Sequence, residues 1–143
     1  MSTLPTTEPT VNPESAPFWE ATARGVLLLP RCRECGEVIW YPRRFCPVCH
    51  SRAVEWFEAS GRGSVYSYTV SMRGVGPWVA VTPYVVAYVE LEEGPRVLTN
   101  LVDCDPDTLA IGQAVRVVFD DAGAYKVPRF TPADVVGGAQ AAG

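Results

Sequence analysis

Residues 30–50 read Pro30-Arg31-Cys32-Arg33-Glu34-Cys35-Gly36-Glu37-Val38-Ile39-Trp40-Tyr41-Pro42-Arg43-Arg44-Phe45-Cys46-Pro47-Val48-Cys49-His50. Two C-x-x-C pairs, Cys32 with Cys35 and Cys46 with Cys49, stand ten residues apart. A tight turn at each pair aims both sulfurs to one side, and two such turns face to face complete a tetrahedron. That is the donor set of a structural zinc ion, with Zn–S bonds of about 2.3 Å. Four thiolates leave no open coordination position, so the metal is expected to hold structure rather than do chemistry. Gly36 follows the second cysteine, where a turn needs positive φ. Iron takes the same four thiolates, and the cysteines by themselves leave zinc and iron open, with zinc preferred. Two disulfides would require an oxidising compartment. Residues 1–13 have neither the positive nor the apolar stretch of a secretory leader, so the expected compartment is the reducing cytoplasm.

Outward from this segment the texture changes on both sides. Residues 1–13 are polar and carry Pro5, Pro9 and Pro13, which predicts a disordered tail. Residues 14–30 predict a short helix and a lead-in strand, with Ser15 as N-cap, Pro17 in the first turn and Gly25 as the stop. So short a helix is marginal alone and must dock on something. The metal ribbon is expected over 31–59, with a returning strand at Val54–Ala59. From residue 60 to 132 the pattern alternates every second residue between turn signals. Strands are predicted at Gly63–Met72, Tyr84–Leu91, Arg96–Val102, Ala114–Phe119 and Tyr125–Phe130, with a Gly/Pro-punctuated loop at 73–83 and a helical turn at Asp105-Pro106. Five strands without a long helix predict a mainly β chain ending in a small barrel, an OB-fold first and an SH3-like barrel second. The Gly/Ala-rich stretch 133–143 is expected to be a flexible tail.

Composition narrows the function. The 143 residues carry a formal charge of −4 and no run approaching a membrane span, so a membrane role is not expected. An acidic chain is a poor general binder of nucleic acid. The charge is uneven, however: Arg31, Arg33, Arg43, Arg44 and Arg52 crowd the cysteine segment, whereas most carboxylates come later. The fifth cysteine, Cys104, follows Asp103 at a strand end and reads as an ordinary thiol. The one histidine, His50, belongs to the cysteine segment and is expected to be exposed there. No nucleotide-binding, Ser-His-Asp or paired-carboxylate motif is present, so the chain is not expected to be an enzyme on its own.

The order of helix, cysteine ribbon and barrel carries further specific text. It includes Phe18-Trp19-Glu20, Arg24-Gly25, Tyr41-Pro42-Arg43, Gly61-Arg62-Gly63-Ser64-Val65-Tyr66-Ser67-Tyr68-Thr69 and Pro83-Tyr84-Val85-Val86-Ala87-Tyr88-Val89-Glu90-Leu91-Glu92-Glu93-Gly94. Over about residues 14–132 this resembles the rubredoxin-like zinc-ribbon plus OB-fold family, domain of unknown function thirty-five. The resemblance implies a non-catalytic accessory subunit in a hetero-oligomer with a thiolase-like or lipid-transfer-type protein. It would help hold acyl-CoA at or near the interface. The preferred reaction of such a complex is retro-aldol cleavage of a steroid side-chain thioester, and acyl transfer is the alternative. Cys32, Cys35, Cys46 and Cys49 match the family's metal ligands, and no catalytic residue carries over. Residues 1–13 lie outside the family pattern.

Within that reading, Phe18, Trp19 and Trp78 are candidate partner anchors, being aromatic residues of the kind enriched at interfaces. Packing on the chain's own barrel is the alternative for each. Arg43 and Arg44 are candidate contacts for CoA phosphates, with a solvated surface as the alternative. A competing class is a single-strand nucleic-acid module, since Tyr66, Tyr68, Tyr84 and Tyr88 could stack bases, although little basic charge accompanies them. A stand-alone hydrolase or redox protein is the third.

Overall fold

The structure, a computed structural model, describes residues 2–133. It contains one α-helix, α1 (Ala16–Thr22), followed by β1 (Leu28–Cys32), β2 (Val54–Glu58), β3 (Arg62–Ser71), β4 (Tyr84–Leu91), β5 (Arg96–Leu101), β6 (Ala114–Ala122) and β7 (Tyr125–Pro132). β1 and β2 form a two-stranded antiparallel sheet with Pro30 opposite Trp56. The other five strands close into a barrel in the order β3-β4-β5-β7-β6, with β3 meeting β6 at Ser64 opposite Ala114. All neighbours are antiparallel except β5 and β7, which meet in parallel at Leu101 and Phe130. This is the mainly β architecture expected, a ribbon followed by a five-stranded OB-type barrel. No helix of the described residues is long and apolar enough to cross a membrane.

The barrel closes because its sequence alternates. In β4 Val85, Ala87, Val89 and Leu91 point inward while Tyr84, Val86, Tyr88 and Glu90 take the other face, the period of a half-buried strand. A β-bulge between Val65 and Ser67 shifts the β3 register and bends the strand around the barrel. At Gly63 the strands cross so closely that a Cβ would lie 2.5 Å from the Glu90 carbonyl oxygen. Only glycine fits there, which explains the Gly-x-Gly entry to β3.

Helix, ribbon and barrel share one core. Phe18 from α1, Leu27 just before β1 and Leu29 within it join Val65, Val89, Val115 and Phe130. The helix is tied to β7 where the Lys126 amide donates to Thr22 Oγ1 at 3.2 Å. Ser15 sits at the N-cap but does not cap with its side chain; its hydroxyl donates to Asn12 instead. The 73–83 loop contains a 3-10 helix at Gly76–Val81, and the expected turn after Asp105 is a 3-10 helix at Pro106–Thr108.

Two expectations change. Residues 2–6, read as part of a disordered tail, lie against the barrel, where the Ser2 amide donates to Asp120 and the Arg129 guanidinium donates to Thr6 and to the Pro5 carbonyl. β6 was expected to stop at Phe119, before two aspartates, yet runs on to Ala122 with Asp120 buried. The same Arg129–Asp120 ion pair explains both, because it neutralises a carboxylate that would otherwise end the strand. The flexible tail expected at 133–143 lies, from residue 134 on, outside the described residues.

Candidate metal centre and the surfaces around it

Each C-x-x-C pair is held by the same backbone scheme. The Gly36 amide donates to the Cys32 carbonyl at 3.0 Å, and the Cys32 amide donates to the Glu37 carbonyl at 2.8 Å. In the second knuckle the His50 amide donates to Cys46 at 2.8 Å, and the Cys46 amide donates to Ser51 at 2.9 Å. Both knuckles turn through positive φ, at 81° in Gly36 and 66° in His50. A glycine is thus matched by a histidine at the equivalent position, which sequence reading treated only as an exposed ring. No Cβ contact would form at Gly36 within 4 Å, so the cost of substitution there is conformational. Gly36→Ala is expected to lose roughly 1–2 kcal/mol, and His50→Gly to gain a similar amount or somewhat less. Denaturant titration of the metal-loaded protein measures both.

The two knuckles bring all four thiols within 4.8 Å of one another. Cys32 and Cys49 sulfurs are 3.5 Å apart, as are those of Cys35 and Cys46. A tetrahedron with bonds of about 2.3 Å has sulfur–sulfur edges of about 3.8 Å, so the cluster fits a tetrahedral ion with little adjustment. All four cysteines are free thiols rather than disulfides. Cys32 and Cys46 are buried against Ile39 and Val54, while Cys35 and Cys49 are exposed. The amides of Cys35 and Glu34 bring the Cys32 thiol down to about 7 against an opposing desolvation. At Cys35 the Glu37 amide pulls down, but desolvation and the neighbouring sulfurs prevail and push it to about 12. Without a cation the four sulfurs compete for negative charge, and a divalent ion resolves that competition by deprotonating all of them.

The remaining sequence candidates scatter. Arg43 and Arg44 lie exposed on the loop between the knuckles, and neither forms an ion pair among the described residues. Phe18 is 1% exposed and belongs to the core, so it is not placed to touch a partner. It is the centre of an aromatic cluster with Trp19, Trp40 and Tyr41 at centroid distances of 4.8, 5.3 and 6.2 Å. Trp19 is half-buried and donates from Nε1 to Tyr41 Oη at 2.8 Å. This cluster lines an apolar cleft of about 220 Å³ between helix, ribbon and barrel. Trp78 is half-buried against Tyr84 with ring centroids 4.7 Å apart. Cys104 is half-buried, and burial followed by Asp103 and Asp105 pushes its thiol up, which makes a poor nucleophile.

Comparison with known proteins agrees with this architecture part by part. Residues 19–55 match the family model of the ChsH2 rubredoxin-like zinc ribbon domain, and residues 56–120 match that of the ChsH2 C-terminal OB-fold domain. A DUF35 domain-containing scaffold protein of Methanothermobacter thermautotrophicus is 43% identical over 62% of this chain and 68% of its own length. The 3-oxo-4,17-pregnadiene-20-carboxyl-CoA hydratase alpha subunit of Mycobacterium tuberculosis is 34% identical over 79% of this chain but only 36% of its own length. Benzoylsuccinyl-CoA thiolase subunit BbsA of Geobacter metallireducens is 38% identical over 50% of this chain and 47% of its own. Among solved structures, the Ltp2-ChsH2(DUF35) aldolase contains a chain that superposes with a TM-score of 0.78 at 38% identity, covering 87% of this chain and 98% of that one. Shared ribbon, shared barrel and shared order of the two show that this chain belongs to the ChsH2-type DUF35 family of zinc-ribbon and OB-fold scaffold proteins.

Proposed function

We propose that this chain is a non-catalytic subunit that binds and completes a thiolase-superfamily acyl-CoA enzyme, with a retro-aldol lyase of steroid side-chain degradation as the preferred complex. The observation that carries the reading is the likeness to the Ltp2-ChsH2(DUF35) aldolase, in which nearly the whole matched chain is covered at 38% identity. The chain's own chemistry supports it. The four thiolates are consumed by one structural ion, which we assign as zinc, and the remaining thiol is half-buried with its proton held. The ion would cross-link two loops with no open position for a substrate. Cys32, Cys35, Cys46 and Cys49 hold it, and the loop between the two knuckles carries Arg43 and Arg44 outward. Those two guanidinium groups are free to meet the phosphates of a CoA held at the subunit interface.

The thiolase branch of the family supplies a second reading, as a subunit of an acyl-transferring or thiolytic complex, favoured by the 38% identity to BbsA. One experiment separates the two. The chain is co-expressed with Ltp2 of the solved aldolase or with the subunit that accompanies BbsA, and complex formation is followed by size-exclusion chromatography with light scattering. A stoichiometric complex with Ltp2, carrying steroid-CoA cleavage that neither protein shows alone, is the expected result. A complex only with the BbsA companion selects the second reading. A chain that binds neither protein and no acyl-CoA refutes both.

A further inference from the structure

Asp120 and Arg129 stand on the outer face of the barrel and are buried all the same. In β6 Val115 is in the core and Val117 and Phe119 pack against it, so the alternate residue Asp120 takes the outer face. In β7 Phe130 is in the core and its neighbour Arg129 takes the outer face, with Val118 opposite Arg129 and Val127 opposite Asp120. Yet the two charged residues are 2% and 5% exposed. The groups that reach them from beyond the hairpin belong to residues 2–6. Ser2 donates to Asp120 from its amide and its hydroxyl, and Arg129 donates to Thr6 Oγ1 at 2.7 Å and to the Pro5 carbonyl at 3.0 Å. The N-terminal segment thus lies in a charged slot, as a strap across the outside of the sheet.

The strap is hydrogen-bonded at its two ends and not between them. Residues 2–6 are held by the slot. At the other end the Ser15 amide donates to the Asn12 carbonyl at 3.1 Å, and buried Ser15 ties the segment to α1. Residues 7–11 make no hydrogen bond among the described residues. None of residues 2–12 is buried or belongs to the core, and none pairs with β6 or β7 as a strand. Pro5, Pro9 and Pro13 keep such a segment extended. Arg129 Nε is buried without a partner, so the closed strap leaves a donor unsatisfied that water reaches once it lifts. Lifting the strap breaks a few polar contacts, disturbs no core packing and leaves the Asp120–Arg129 pair in place. Segments attached in this way open at a small fraction of the free energy of global unfolding.

The strap also closes a hollow of about 400 Å³ at the end of the barrel. Ser2, Thr3 and Leu4 form one wall, residues 80–85 a second, and residues 101–104 a third that includes the half-buried Cys104. We propose that residues 2–11 are a hinged arm that opens as a unit and gates this hollow, with Asp120 and Arg129 as the latch and residues 7–11 as the hinge. The latch is specific, because Asp120 needs donors and Arg129 needs acceptors, and residues 2–6 present both in the right order along one extended stretch. The device stands independently of the functional reading above, since every group in it belongs to this chain. Cys104 reports on the open hollow, and no chemistry is assigned to it.

The test follows alkylation of Cys104 by iodoacetamide in the metal-loaded full chain, with the modified cysteine located by peptide mass spectrometry. The double variant Ser2→Ala with Thr6→Val removes two latch contacts, changes no charge and touches no core residue. Its Cys104 is expected to react about tenfold faster than in wild type, the scale on which hydrogen bonds to charged groups hold a segment closed. Thr6→Ser keeps the hydroxyl and is expected to react within about twofold of wild type. Hydrogen exchange at the Val65 amide, bonded to Gln113 in the barrel, is expected to be unchanged in both variants. If the double variant reacts no faster than wild type, the arm does not gate the hollow. If wild-type Cys104 reacts as fast as in the urea-unfolded chain, the hollow is never closed. If faster reaction comes with an equal loss of Val65 protection, the barrel opens as a whole and the arm is not a separate unit. Each of these results overturns the proposal.

Discussion

Cys46→Ser is expected to abolish stoichiometric metal binding and to unfold the two knuckles while leaving the barrel folded. Cys46 is fully buried, its amide donates to Ser51, and its sulfur stands 3.5 Å from Cys35 and accepts from the Val48 amide at 3.4 Å. A serine hydroxyl is a poor ligand for a thiolate-bound ion, and three remaining thiolates repel one another without it. The ribbon has almost no core of its own: Cys32, Cys46 and Ile39 with Val54 packed against them. The ion is therefore expected to supply most of the stability of the two knuckles, while β1 and β2 also lean on the barrel core through Leu29, Trp56 and Phe57. In zinc-finger peptides that contribution is of order 10–16 kcal/mol, far above what so few side chains can replace. Metal analysis should fall from one equivalent to near zero. Hydrogen exchange should lose protection at the Gly36, Ile39, Cys46 and His50 amides, which bond within the ribbon, while the Val65 amide keeps its bond to Gln113. Cys104→Ser, outside the cluster, should retain the metal. A Cys46→Ser protein that keeps a full equivalent would refute the assignment, and a coloured wild-type protein would make the ion iron.

The second large effect is expected at the other end of the molecule. Asp120 and Arg129 are 2% and 5% exposed, and Arg129 Nη1 donates to Asp120 Oδ2 at 2.7 Å. Ser2 donates to the same carboxylate from its amide at 2.7 Å and from its hydroxyl, and Arg129 reaches Thr6 at 2.7 Å and the Pro5 carbonyl at 3.0 Å. Asp120→Asn leaves a buried guanidinium without its counter-charge and is expected to cost about 3–5 kcal/mol in urea unfolding of the metal-loaded protein. The double change Asp120→Leu with Arg129→Met removes both charges and should recover a good part of that loss. Burial pushes the Asp120 carboxyl up, but hydrogen bonds from Ser2 and Arg129 outweigh it and hold the group below its ordinary value. A carboxyl lowered in the folded state contributes stability above its unfolded pKa of about 3.9 and loses it as pH falls through the folded value. Wild-type stability should therefore drop on acidification below about pH 4, and Asp120→Asn should flatten that part of the profile. An unchanged slope would mean that the pair does not couple to folding.

Much of this molecule is legible without coordinates because its signals are local. The C-x-x-C spacing picks out the four cysteines that cluster, since a tight turn at each pair aims both sulfurs to one side. Alternation in Tyr84–Leu91, bounded by Pro83 and Gly94, marks a strand whether or not its neighbours are known. Gly63 announces a close crossing by its lack of a side chain. Other features resist because their cause lies far along the chain. Asp120 reads as the end of a strand until Arg129 neutralises it and Ser2 donates to it, across separations of 9 and 118 residues. Phe18 reads as a candidate anchor until the fold closes Phe130 and Leu29 into the same core. His50 follows its C-x-x-C pair as Gly36 follows the first, which is the signal for its left-handed backbone, but a residue with a side chain does not advertise positive φ as a glycine does.

By itself, then, the sequence determined which four cysteines cluster and where the five barrel strands run, because each depends on period and spacing within a few residues. Only the tertiary structure decided which apolar side chains remain outside. Leu98 is no different in kind from Val97; strand phase and barrel closure send Val97 and Val89 to the core and leave Leu98 exposed on the outer face opposite Tyr88. A surface is a property of what the rest of the chain fails to cover, and no single stretch of sequence contains that information.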